Sequence, residues 1–285
     1  MRRLDSVRLW KNARDLRQHP ALFGEVILGY EGTEDLLPPT AWTNSVPAYG
    51  ENWSAVCVDI RDFDVLIWSA EYFMRQVDFQ MALRARYLLA PSNEPLTTCV
   101  CGRQSPSSSF VVHGLDCNRV RGYTWATRHA LVKRVFKSVL RQYGFNPDET
   151  EPRFFENGTG PDVCFALGAS RALVDVAVTN PLADSYADAE SREPGFALRR
   201  TEEDKKKRYG SKSSVRDMQF FPLVLSTFGT LGVDSLTFLR KVATFTSDAP
   251  GFMRHMCMAL SIAVHTGNAR ILLAAKENWW HFGIR

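Results

Sequence analysis

Four thiol and imidazole side chains fall within nineteen positions of this 285-residue chain: Cys99, Cys101, His113 and Cys117. Their spacing is C-x-C-x11-H-x3-C. Three thiolates and one imidazole suit tetrahedral Zn²⁺, and a site with four protein ligands leaves no open position for chemistry. Ser105 to Ser109, SPSSS, reads as a small flexible loop that lets the two halves close on one ion. The competing reading is buried cysteines beside an incidental histidine. Cys57, Cys164 and Cys257 are scattered and read as core residues.

A second group is acidic. In PDVCFALGASRALVDVAV, residues 161 to 178, two apolar runs flank Gly168-Ala169. Glycine at the first loop position suits a two-residue type II′ hairpin. That register pairs 167 with 170, and so sets Asp162 opposite Asp175 on one side of the sheet. Two carboxylates so placed repel unless a cation lies between them. Mg²⁺ binds through one or two carboxylates with water and substrate phosphate, which points to phosphodiester chemistry. Asp175 interrupts Leu173, Val174, Val176, Ala177 and Val178, where a carboxylate is costly unless paired or metal-bound. The alternatives are an exposed face of an edge strand, or a pairing with arginine. Glu151 could add a third carboxylate, and Lys205, Lys206 and Lys207 precede Tyr209. A lysine beside a metal orients water or stabilises phosphorane charge; a KKKR run is otherwise a solvated face.

These residues need elements to hold them. Residues 126 to 143 form the clearest helix, with Leu131, Val132, Val135, Phe136, Val139, Leu140 and Tyr143 on one apolar face. Lys133, Lys137 and Arg141 run along the other side, and Gly144 closes the helix. Strands are expected at Arg153–Phe155, Val163–Leu167 and Ala172–Thr179, and a charged helix near Glu202–Tyr209. Residues 220 to 275 read as helices with buried apolar segments. Upstream, residues 36 to 50 hold three prolines and read as a loop, 62 to 89 as helical, and Pro91 to Pro95 as a linker. The expected division is a mostly helical segment over 1–95, a zinc knuckle over 96–120 and an α/β domain over 121–285.

From Arg119 to Arg141 the chain carries Arg119, Arg121, Arg128, Lys133, Arg134, Lys137 and Arg141 and no acidic residue. Such a stripe would neutralise phosphates and make nucleic-acid binding salt-dependent. Tyr123 and Trp125 within it read as core residues before stacking platforms. The alternative is a solvated helix face.

The ordered set resembles the C-terminal region of non-LTR retrotransposon polyproteins that carry a restriction-like endonuclease of the PD-(D/E)xK type. The matching features are the CCHC knuckle, Arg128-His129 on the following helix, Glu151-Pro152, Pro161-Asp162 with Asp175 as PD-x12-D, LVDVAVTNP at 173–181, Lys205 with Tyr209, and FFPLVLSTFGTLGVDS at 220–235. The sequence departs from the family at Ala130, usually Asn or Asp there, and at Ala177, where a D-x-K strand has lysine. The resemblance covers roughly residues 85 to 275. It implies an α/β fold with a restriction-endonuclease-like mixed β-sheet flanked by helices, preceded by the knuckle and a mostly helical N-terminal segment. It also implies Mg²⁺ or Mn²⁺ held by Asp162, Asp175 and Glu151, with Lys205 and Tyr209 catalytic. DNA contacts would come from Arg119, Arg121, Arg128, His129, Lys133, Arg134, Lys137 and Arg141. The implied activity is nicking of target DNA to prime reverse transcription in the nucleus. DNA, element RNA, a reverse transcriptase or a parent polyprotein are the implied partners.

Composition is that of a soluble globular protein: 45% apolar, 23% charged, net charge +4. No secretory leader or membrane-spanning run stands out, so no membrane partner is expected, and clustered cysteines read as metal ligands before disulfides. Two other readings compete with the nuclease. One is a catalytically inactive DNA- or RNA-binding module derived from a retroelement, and the other is an interaction scaffold.

Overall fold

The computed structural model describes residues 76–91, 94–120, 125–152, 160–210 and 218–276. The expected strand at 153–155, the loop at 36–50, Arg121, Tyr123 and most of the N-terminal segment lie outside these residues. Within them the chain is mixed α/β, with helices α1 (Gln76–Arg86), α2 (Ser107–Asp116), the single turn α3 (Asn118–Val120), α4 (Ala126–Gln142), α5 (Ala187–Arg192), α6 (Phe196–Gly210), α7 (Val233–Ala243) and α8 (Ala249–Lys276). Strands β1 (Thr97–Thr98) and β2 (Gln104–Ser105) form a small hairpin, and β3 (Val163–Leu167), β4 (Ser170–Thr179) and β5 (Met218–Ser226) form a second sheet in that order.

The β3–β4 hairpin has the expected register. Leu167 pairs with Ser170 and Val163 with Val174. Gly168 takes φ +62° and Ala169 has no positive φ, as a type II′ turn requires. β5 joins β4 in parallel, with Asp175 beside Pro222, and the crossover runs through α5 and α6. β5 corrects the expectation of helix from residue 220. A strand buried on both faces reads as a continuous apolar run, which periodicity alone does not separate from a helix. Pro222 is tolerated because β5 is the outer strand of the described sheet.

Alternation along β4 divides the sheet into two faces. Ala172, Val174 and Val176 join Val163, Phe165, Leu223 and Leu225 in a core built with α4, α7 and α8. Asp175 lies between two of these residues and so projects to the other face, where α6 packs on β4 and β5. Two buried glutamates fix α6 and its neighbour. Glu190 accepts from the amides of Gly195 (2.7 Å) and Ala197 (2.8 Å) at the start of α6. Glu202 accepts from the Ser235 amide (2.9 Å) and hydroxyl (2.7 Å) at the start of α7. Each satisfies amides that a helix N-terminus leaves unpaired.

A second core joins α1 and the β1–β2–α2 unit to the last turns of α8. It contains Met81, Ala85, Phe110, Val111, Leu115, Ile271 and Leu272. The segment 76–90 and the expected knuckle therefore share one apolar core with the C-terminal helix. Ser107 to Ser109 form the first turn of α2 rather than a loop. α8 is long and apolar enough to cross a membrane by length and composition, unlike the sequence expectation, yet 83% of its most apolar window is buried inside the fold. It is the central packing helix of both cores.

Candidate functional site

Cys99 and Cys101 stand at the tip of the β1–β2 hairpin, His113 on α2, and Cys117 just past its end. The tip is closed by Gly102 donating to the Cys99 carbonyl (2.7 Å) and Cys99 donating to the Arg103 carbonyl (2.8 Å). The Val100 amide is anchored on the Ala275 carbonyl of α8 (2.7 Å). All four ligand atoms lie within 4.8 Å of one another. Cys99 Sγ is 3.6 Å from Cys117 Sγ, and Cys101 Sγ is 3.2 Å from His113 Nε2. Zn–S bonds of about 2.3 Å give tetrahedral edges of about 3.8 Å, while a disulfide needs about 2.04 Å. The cluster therefore has the dimensions of a metal site and could hold an ion such as zinc. Burial pushes the Cys99 thiol up to about 12, so an unliganded sulfur there is protonated; a bound cation is what makes it a thiolate.

The acidic pair sits on the larger sheet. Asp162 immediately precedes β3, and continuing the hairpin register sets it opposite Asp175. Both are buried, at 9% and 4% exposure. Asp162 Oδ2 accepts from the Val176 amide (2.8 Å) and lies 3.1 Å from His129 Nε2. His129 Nε2 is also 3.2 Å from the Val176 carbonyl. Both neighbours accept, so Nε2 carries the proton. Burial alone would raise the Asp162 carboxyl, but His129, the Val176 amide and Lys133 outweigh it and hold it below the ordinary carboxylate range. The hydrogen bond to Asp162 raises the His129 imidazole against its burial.

At Asp175 burial prevails. Its carboxyl is raised despite the Lys205 ammonium, which forms an ion pair with Oδ2, and a hydrogen bond with Tyr209; the charge of Asp162 adds to the rise. Burial and then the neighbouring Asp175 push the Tyr209 phenol upward in turn. Tyr209 is itself buried and packs on Phe220 of β5, ring centroids 5.0 Å apart. Lys205 and Tyr209 are one helical turn apart on α6, so both reach the same carboxylate. Glu151 lies at the exposed rim, ion-paired with Lys133, whose ammonium is also 3.9 Å from Asp162 Oδ1. The structure thus gathers Asp162, Asp175, Glu151, Lys205 and Tyr209 around one place and adds His129 and Lys133. Among the described residues Asp175 is neither on an edge strand nor paired with arginine; β4 is the middle strand of that sheet and the partner is lysine.

The basic stripe is narrower than the sequence suggests. Arg128 is buried, donates to Asn268 Oδ1 (2.8 Å), and packs over Trp125. Burial lowers its guanidinium to about 10. Gly267 gives it passage, since a Cβ there would stand 2.5 Å from Arg128 Cγ. Lys137 donates to the carbonyls of Asp148 (2.5 Å) and Glu149 (3.1 Å) and is also buried. These two are withdrawn from the DNA contacts, and His129 and Lys133 turn to the carboxylates. Arg119 and Arg134 are exposed, and Arg141 is half-exposed with Glu149 at 2.7 Å.

Asn180, Thr227 and Asn268 escaped the sequence reading. Asn180 Nδ2 donates to Asp116 Oδ2 (3.0 Å), Thr227 Oγ1 to Asn180 Oδ1 (3.3 Å), and Asn268 Nδ2 to the Thr227 carbonyl (2.5 Å). With Arg128 they link the residue before Cys117 to the residue before His129. Their contributions come from separate elements, so no local spacing signals them.

Compared with known protein families and curated proteins, the chain matches no family model and no curated sequence.

Proposed function

We propose that this chain is a divalent-metal-dependent DNA endonuclease with a restriction-endonuclease-like core, and that the Cys99, Cys101, His113, Cys117 cluster holds a structural Zn²⁺. The observation that carries the reading is the meeting of Asp162 and Asp175, from facing hairpin positions, with Lys205 and Tyr209 from the crossover helix. The order α4, β3, β4, α6, β5, with one antiparallel and one parallel pairing, supports such a core.

Asp162 and Asp175 would hold Mg²⁺ or Mn²⁺, with Glu151 assisting at the rim. The donor set fits a hard cation, and Asp175 is raised by burial in a way that a second positive charge would relieve. When bound, the metal polarises the scissile phosphate and lowers the pKa of an attacking water. The protein's own groups orient and neutralise. The Val176 amide and His129 fix Asp162, Tyr209 fixes Asp175, and Lys205 supplies a positive charge for the phosphorane. Arg119, Arg134 and Arg141 offer exposed charge to flanking phosphates. Nicking of target DNA for reverse transcription, nuclear residence and a retroelement parent belong to this same proposal. The test is conversion of supercoiled plasmid to open circle in Mg²⁺. Cleavage abolished by chelation and by Asp162→Asn supports the reading; cleavage unchanged in that variant contradicts it.

The ion pairs favour one other reading. Lys133 and Lys205 already neutralise carboxylates, so the fold would not need a divalent ion at this place and could serve as a DNA- or RNA-binding module. Salt-sensitive binding that survives chelation, with no nicking in any divalent metal, would select it.

A further inference from the structure

Asp162 and Asp175 are neutralised by different means. Asp162 Oδ2 accepts from the Val176 backbone amide, a donor fixed in the sheet, and has His129 Nε2 at 3.1 Å, with Lys133 at 3.9 Å from Oδ1. Asp175 has Lys205, carried on a chain of four methylenes from α6 and retaining 23% side-chain exposure against 6% for the aspartate. The ammonium sits on Oδ2 of Asp175, an oxygen that a metal at this site would take. Two cations do not share one carboxylate oxygen without strong mutual repulsion. A fixed donor cannot leave, whereas a lysine side chain with a solvated edge can rotate away.

We propose that Lys205 is an exchangeable counter-ion, seated on Asp175 in the metal-free protein, displaced by an incoming divalent cation, and thereby released toward the phosphodiester. The proposal rests on the nuclease reading and adds to it an order of events and a coupling. Metal entry frees the ammonium, so metal and DNA phosphate bind with positive cooperativity through one side chain. Tyr209 keeps Asp175 oriented while the lysine exchanges.

The probe is Mn²⁺ itself, titrated into the full zinc-loaded chain at fixed pH 8 and fixed ionic strength, with free Mn²⁺ read by electron paramagnetic resonance. Asp175→Asn defines which binding belongs to this site. Lys205→Gln removes the competing charge and should bind Mn²⁺ about tenfold tighter than the parent protein. Lys205→Arg places a bidentate and less easily displaced cation on the carboxylate and should bind Mn²⁺ more weakly. Lys241→Gln, a charge change on α7 beside Phe221 and Gln219, should match the parent. With Ca²⁺ added, duplex DNA should bind the zinc-loaded parent more tightly than in buffer without a divalent addition, and Lys205→Gln should lose that gain. Unchanged or weaker Mn²⁺ binding by folded Lys205→Gln overturns the exchange. So does unchanged or tighter binding by Lys205→Arg, the variant that remains informative if the glutamine form does not fold. If Asp175→Asn removes a Mn²⁺ site while both lysine variants bind as the parent does, the exchange fails and the nuclease reading stands. If Asp175→Asn titrates like the parent, the metal site fails, and the exchange fails with it.

Discussion

At the tip of the β1–β2 hairpin the sulfur and imidazole ligands have one another for neighbours, Cys99 against Cys117 at 3.6 Å and Cys101 against His113 at 3.2 Å. On the larger sheet the carboxylates instead have Lys133, His129 and Lys205. The first arrangement would gain its cohesion from an ion, which its four donors would enclose completely. The second is already compensated by the chain's own cations, so on the proposed reading an ion there would be optional for folding and exchangeable in use. On the proposed reading, a structural centre and a reactive centre would be told apart by what neutralises the ligands before any metal arrives.

The largest effect should follow removal of the ion from the Cys/His cluster. The β1–β2–α2 unit shares its core with α1 and the end of α8. Structural zinc stabilises small units by ~10 kcal/mol, so chelation or Cys117→Ser should lower the melting temperature by on the order of 10 °C or more. Scanning calorimetry with and without chelator checks this. An EDTA-treated protein that melts unchanged would erase the distinction between the two regions. Mg²⁺ alone, by contrast, should move the melting temperature little.

Next in size is Glu202→Ala. The carboxylate is 2% exposed and accepts from the amide and hydroxyl of Ser235 at the start of α7. Losing it leaves buried donors unpaired at a cost of about 2 kcal/mol, readable as a shifted urea midpoint with unchanged slope. The effect should be on stability, since the residue faces α7 rather than the carboxylates.

The junction between the regions should respond to acid. His265 on α8 is buried, accepts from Arg86 of α1 at 3.0 Å, and is held down to about 3, by burial first and by Arg86 second. A folded value below the unfolded ~6.5 means that the unfolded chain takes up the proton first as pH falls. Stability conferred by the neutral imidazole is therefore full above ~6.5 and falls by about 1.4 kcal/mol per pH unit below it, until the folded value is reached. His265→Asn should flatten that slope between pH 6 and 4 in urea titrations. The smallest effect belongs to Arg134→Ala, which should lower the salt dependence of DNA binding by roughly one phosphate contact without changing nicking at saturating DNA.

Local signals carried much of this architecture. The hairpin register, and with it the facing of Asp162 and Asp175, followed from Gly168 and two apolar runs. The amphipathic face of α4 and the one-turn spacing of Lys205 and Tyr209 were equally local. The basic row on α4 does not hold to one exposed face, because steps of four residues turn about 40° around a helix. His129, Lys133 and Lys137 therefore run progressively deeper, from 36% to 20% side-chain exposure and then to burial, and Arg141 returns to solvent. The β5 run reads as helix in the sequence because an apolar run without alternation carries no period. Arg128, Asn180, Thr227 and Asn268 meet only in three dimensions, and no spacing along the chain announces that.

On the proposed reading Asp175 is the metal-bearing centre of a DNA-cleaving site. The most direct measurement compares the parent chain with Asp175→Asn, both zinc-loaded, for Mg²⁺-dependent nicking of supercoiled plasmid at matched DNA occupancy. Asp175→Asn should lose about a thousandfold or more, the scale of several kcal/mol of metal-derived transition-state stabilisation, with DNA binding retained. Equal nicking by the two proteins, or no Mg²⁺-dependent nicking by either, would contradict it.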